Sequence, residues 1–204
     1  MNSCITFTLI SLLLALNLNP SLASSRGLTD DTNASITQYS SYVKNACHVT
    51  RFQSLCIRTL WPFAIIAKNN SSIWARAGVA VTITDTKEAL RRLLRTRNSA
   101  VGKRERIALS DCRELFVDSL DNLYKSLNVL RKLNADEFQR QISDLATWLS
   151  AALTDQDTCL DGFAETSVIA SSSTVRMIRR KATKCMQLCS NALALANKLA
   201  YDGL

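Results

Sequence analysis

Histidine is nearly missing from this chain: His48 is the only one among 204 residues. There is no Cys-x-x-Cys pair and no Glu-x-x-His, so a zinc site or a di-iron bundle has no ligand set. A lone His48 beside Cys47 reads as a surface residue rather than a general base. Glycine (five) and proline (two) are also scarce, so turns are few and no glycine-rich phosphate loop exists. Alternating apolar and polar residues are lacking. Apolar residues recur instead at steps of three and four, which excludes a sheet protein and predicts long helices.

What is present begins with an apolar run, Ile5 to Leu18, without a charged side chain. It leads into Ser21 and Ala23, small residues at the minus-three and minus-one places of a secretory cleavage site after Ala23. The run lacks a preceding Lys or Arg, and an uncleaved anchor is the alternative. It is short for a bilayer span, and no later stretch is long and apolar enough. Residues 1–23 are thus expected to be a signal peptide, 24–34 a flexible mature start, and 35–204 one exported domain. The sequons at Asn33, Asn69 and Asn70 fit that route, with Asn69 and Asn70 too close to carry two glycans.

Loss of Cys4 with the signal leaves six of the seven cysteines. Six allow fifteen pairings, among which spacing must choose. Cys47 and Cys56 flank a turn and suit a local bridge, whereas Cys112 and Cys159 fall on successive helices and suit an inter-helix bridge. In a loop-entropy model these bridges contribute roughly 3 and 4 kcal/mol. Cys185 and Cys189 lie four apart on one helix, where a bridge constrains almost nothing, and read as free buried thiols.

The chain reads as an all-α, antiparallel up-down-up-down four-helix bundle (71–201) behind a helical hairpin (35–62). The hairpin faces are Ile36, Tyr39, Val43 and Ala46, then Phe52, Leu55, Cys56 and Leu60, with Thr50 as cap and Trp61-Pro62 as stop. The first bundle helix starts at Ser71 or Ser72 and ends near Asn98. The second, Lys103 to Leu133, carries the stripe Leu109, Cys112, Phe116, Leu120, Leu123, Leu127 and Leu130. Asn134 and Glu137 form an expected capping box for the third, with stripe Phe138, Ile142, Leu145, Leu149 and Leu153, ending near Phe163 or Glu165. Ser171 to Thr174 opens the fourth, with stripe Val175, Ile178, Ala182, Cys185, Leu188, Ala192, Leu195 and Leu199.

The net charge of +8 is unevenly spread. Lys87 to Arg106 holds Lys87, Arg91, Arg92, Arg95, Arg97, Lys103, Arg104 and Arg106 against two glutamates; a second cluster is Arg176, Arg179, Arg180, Lys181 and Lys184. The middle of the chain is comparatively acidic. Such clusters are mostly solvated helix faces, although on an exported protein they also suit a polyanion. Nucleic acid is a poor partner, because no aromatics interleave with the basic residues. Asp155, Asp157 and Asp161 do not have the spacing of a calcium loop and read as structural.

Several segments together are similar to the plant invertase/pectin methylesterase inhibitor family. They are Trp148 to Thr154 followed by Asp157-Thr158-Cys159 and Asp161-Gly162-Phe163; Asp111-Cys112 with Glu114 and Asp118 to Leu123; Ser190 to Leu195; and Cys47, Thr50, Cys56 and Leu60. The family's usual Tyr-Pro is Phe52-Gln53 here, which predicts a less rigid hairpin turn. The resemblance implies a secreted, non-enzymatic inhibitor in the apoplast or cell wall that needs no metal or cofactor and has no catalytic residues. Its implied partner is a pectin methylesterase, bound one to one across the active-site cleft. An inhibitor of acid invertase, cell-wall or vacuolar, is the alternative from the same bundle. A pectin- or polyanion-binding protein without an enzyme target is a further one. The bundle also occurs as a methylesterase pro-region, and the sequence up to Leu204 carries no catalytic domain. Expected contacts lie on the outward face of the second and third helices: Asp118, Asp121, Asn122, Tyr124, Lys125 and Gln141.

Overall fold

The computed structural model describes residues 26–96, 102–163 and 172–204, with side chains from Ile36 onward. Two helices, α1 (Arg26–Cys47) and α2 (Gln53–Leu60), form the hairpin. A 3-10 turn (Trp61–Phe63) and the single-turn α3 (Ala64–Ala67) lead to α4 (Ser71–Arg95), α5 (Lys103–Arg131), α6 (Phe138–Asp161) and α7 (Ser173–Asp202). No strand occurs among the described residues. The expected signal segment, Arg97, Glu165 and Ser171 lie outside them. The chain divides after Ile36, and the unit Thr37–Leu204 contains every buried residue described.

The expected start of the hairpin at Ser35 falls inside α1, which begins at Arg26. No Gly or Pro follows Gly27 within α1 to interrupt it. In the bundle, α4 packs on α5, α5 on α6, α6 on α7, and α7 closes the ring on α4. Each helix therefore lies beside its sequence neighbours, and the α4–α7 seam is opposite the α5–α6 seam.

The helix starts follow local chemistry. Asn70 Oδ1 accepts from Ile73 N (2.9 Å) and Ser172 Oγ from Val175 N (3.2 Å), capping α4 and α7. Glu105 reaches back to Gly102 N (3.2 Å) at the start of α5, which is why a glutamate is buried there. Two expected caps differ. Thr50 Oγ1 donates to Cys47 O (2.7 Å), so it closes α1 rather than opening α2. Asn134 Oδ1 accepts from Glu137 N (2.9 Å) but caps a turn before α6, whose first residue is Phe138.

Every stripe residue of α7 is buried as its three-four spacing predicts. On α6 the buried face is instead Phe138, Gln141, Leu145, Leu149, Ala152, Gln156 and Cys159, with Ile142 and Leu153 only half-buried. Two glutamines displace aliphatic side chains because their amides bond inside. Gln141 Oε1 accepts from Asn134 N (3.0 Å) and its Nε2 donates to Lys132 O (3.0 Å), closing the α5–α6 turn.

Gln156, with no exposed surface, sits at the centre. Its Nε2 donates to Ser119 Oγ (2.9 Å) and Thr86 Oγ1 (3.3 Å), while Ser119 Oγ donates to Ala152 O (3.1 Å). This polar layer divides the apolar core. Ile83, Leu123, Ala152 and Cys189 belong to the cluster on one side, Ala89, Phe116, Cys159 and Cys185 to that on the other.

Cys47 is bridged to Cys56 (Cα–Cα 5.8 Å), and Cys112 to Cys159 (4.7 Å). The second bridge joins α5 to α6 inside the cluster beyond the polar layer. Phe52-Gln53, expected to loosen the hairpin, is held by Asn191 of α7: its Oδ1 accepts from Phe52 N (3.0 Å) and its Nδ2 donates to Phe52 O (3.0 Å). Gln53 Nε2 adds a bond to His48 O (3.0 Å). One buried side chain thereby clamps both polar groups of a turn residue.

Asn191→Ala should lower stability by about 2 kcal/mol, because part-buried Phe52 N loses its partner and Phe52 O keeps only the bond from Cys56 N. Hydrogen exchange should accelerate most at Arg51 to Cys56, and uniform or no acceleration would contradict the clamp. Opening the Cys112–Cys159 bridge with a double Ser substitution should cost about 4 kcal/mol in denaturant unfolding.

Candidate partner-binding surface

The outward residues of α5 and α6 separate into several environments. Asp118, Asp121 and Lys125 are exposed on α5. Tyr124 is also exposed, and Lys87 Nζ of α4 stands 5.1 Å from its ring centroid, a cation–π contact that holds the ring over the α4–α5 seam. Asn122 is half-buried and donates to Asp155 Oδ2 (3.4 Å) across the α5–α6 seam. Gln141, expected on the outward face, is 6% exposed and spent on the turn bonds above. The hydrogen-bonding capacity of an amide is not visible in a helical-wheel count.

Charge is segregated around the ring. On α6, Asp144, Asp155, Asp157 and Asp161 face one cation, Arg140; on α7, six Lys or Arg face one acid, Asp202. Asp202 is committed to Ser71 and Lys198 at the end of α7. The α6 side is thus acidic and the α7 side basic.

Burial raises the pKa of Asp155, and the Asp118 charge raises it further, while the Asn122 hydrogen bond opposes both. Burial also pushes the Cys185 thiol up to about 12 and the Cys189 thiol higher still. Both cysteines are unbridged and buried, so neither is a nucleophile at neutral pH. Among the described residues no three His, Cys, Asp or Glu converge to hold a metal: Asp157 and Asp161 point to solvent and Asp155 to Asn122. Asn69 and Asn70 are exposed, and Asn70 is the α4 cap itself; Asn33 lies on α1, and its side chain is outside the described set. No described helix is long and apolar enough to cross a membrane.

Among the described residues this arrangement offers a charged helical surface held by two disulfides. The profile of the plant invertase/pectin methylesterase inhibitor family matches residues 41–195, and the chain belongs to that family. It is 76% identical over 184 residues to Pectinesterase inhibitor 6 of Arabidopsis thaliana, covering 90% of this chain and 87% of that one. Pectinesterase inhibitor 3 of the same plant is 37% identical over 164 residues, 77% of this chain and 78% of its own. A crystal structure of a mutant form of an Arabidopsis pectin methylesterase inhibitor has the same fold, with a TM-score of 0.58 at 24% identity over 74% of this chain and 92% of that one. The family is one of non-enzymatic inhibitors, in line with the sequence reading.

Because its folded pKa is raised, Asp155 favours folding while protonated, and that contribution is lost as pH rises through the folded value. Asp155→Asn should therefore gain melting temperature over wild type as pH rises from below 3.8, the ordinary Asp value, to neutral, and parallel pH curves would contradict the assignment. Iodoacetamide should leave the native protein unmodified and add two groups after unfolding without reductant; rapid labelling of the native chain would show that these thiols are open.

Proposed function

We propose that this chain inhibits a plant pectin methylesterase, binding it one to one with bundle helices laid over the active-site cleft. The 76% identity to Pectinesterase inhibitor 6 carries this reading. The proposed contact is where α6 meets the acidic middle of α5 (Asp111, Glu114, Asp118, Asp121), through Asp118, Asp121, Asn122, Tyr124 and Lys125. A cleft that accepts a polyuronate must complement negative charge, and acidic side chains meet that requirement where the substrate otherwise lies. Inhibition follows from occupying the cleft, so no residue of this chain needs to react.

In this reading residues 1–23 direct export, the domain works in the apoplast and cell wall, and Asn33 with one of Asn69 and Asn70 carries glycans. Pectin held through basic side chains is a second partner. The family description also includes invertase, so inhibition of a cell-wall or vacuolar acid invertase is the competing reading.

Titration of purified plant pectin methylesterase with the mature domain should reach full inhibition at one equivalent, with acid invertase unaffected. Inhibition of invertase alone would reverse the assignment. Asp118→Lys with Asp121→Lys should weaken inhibition about tenfold and alter its salt dependence, because opposed charges become like charges.

A further inference from the structure

Two basic runs far apart in the sequence meet on the α4–α7 seam. Lys184 Nζ lies 2.6 Å from Asp85 Oδ1, and Arg92 Nη1 donates to Met177 Sδ (3.9 Å), so the C-terminal half of α4 runs beside the N-terminal half of α7. On α4, Arg92 and Arg95 continue the row begun by Asp85 and Glu88. On α7, Arg180 and Lys181 lie between Met177 and Lys184, which face that row.

The acids here do not cancel the cations. Glu88 takes Arg91 (2.6 Å) and Arg92 (2.8 Å) together, one carboxylate for two guanidiniums. Arg95, Arg180 and Lys181 have no carboxylate partner among the described residues. Arg113 of α5 donates to Leu93 O (3.1 Å) and Thr96 O (3.1 Å), which brings the basic start of α5 to the same end. Leu94, 64% exposed, adds an apolar surface among the charges.

We propose that this seam binds a polyuronate in its free-acid form, and that it discriminates against the methyl ester. A linear chain with one carboxylate on each sugar suits a seam where Arg95 of α4 and Arg180 and Lys181 of α7 have no carboxylate partner among the described residues, and guanidinium binds carboxylate through paired hydrogen bonds. Esterification removes the charge and the acceptor geometry together. Nucleic acid fits less well: Trp74 and Tyr201, the aromatic residues of α4 and α7, lie at the other end of the seam and leave no stacking platform here. The seam is opposite the acidic α5–α6 side, so polymer and enzyme are held at once. The significance of the ester preference rests on the proposed target, whose product is the free acid: the inhibitor is retained on wall already de-esterified.

The test is calorimetry of the mature chain with size-fractionated oligogalacturonate and with the same material fully methyl-esterified, at low and physiological salt. Binding of the acid should exceed that of the ester by at least about tenfold and weaken with salt. The variant R95E/R180E/K181E should lose at least about tenfold in affinity while keeping its melting temperature and its methylesterase inhibition. Equal binding of acid and ester, an unchanged variant, or equally tight binding of heparin or phosphatidylserine vesicles would overturn the proposal. Inhibition without uronate binding would sink this proposal alone, whereas uronate binding without inhibition would sink the proposed target alone.

Discussion

The bundle depends on one buried amide. Gln156 joins α6 to Ser119 of α5 and Thr86 of α4, and the apolar core changes from one cluster to another at that level on all four helices. Aliphatic layers slide past one another at little cost, since one leucine fills a gap much as another does. A buried hydrogen bond does not, because a shift of one turn leaves its groups unpaired in a medium without water. The layer therefore fixes the vertical alignment of the helices on which every surface feature rests. The Cys112–Cys159 bridge, one turn from Gln156 on α6, locks the same register covalently.

Helix spacing was largely legible because periodicity reports burial directly. The α7 stripe is buried throughout, and four of the bundle residues that start or cap helices are small polar types at the chain positions where turns were expected. What failed was the ranking of individual positions. Ile142 and Leu153 outrank Gln141 and Gln156 on any hydrophobic scale, yet the glutamines lie deeper because the α5–α6 turn supplies partners to Gln141, and α4 and α5 supply them to Gln156. Thr50 bonds locally, as its type predicts, but to Cys47 O and not to α2; Asn134 makes the expected bond to Glu137 N, one turn ahead of the helix it was expected to open.

The surface was less readable than the core. Net charge per helix is visible in the sequence, whereas the meeting of Arg92 with Met177 requires knowing that the first and last bundle helices close the ring. Likewise, the exposure of Tyr124 is legible from its place on α5, but the Lys87 ammonium over its ring is not. The family resemblance, which depends on short motifs around the cysteines, does not carry this information: residues that distinguish one surface from another lie between those motifs.

The Asn191 clamp also orders events in time. A chain is synthesised from its N-terminus, so the hairpin is made first, yet the side chain that fixes Phe52 is made among the last residues of the domain. Until Asn191 is made and packed, Phe52 N has only water as partner and Phe52 O keeps only its bond from Cys56 N (2.9 Å). A nascent domain truncated before Asn191 therefore holds its hairpin by the Cys47–Cys56 bridge and by the packing of α2 on α4, without the clamp on Phe52.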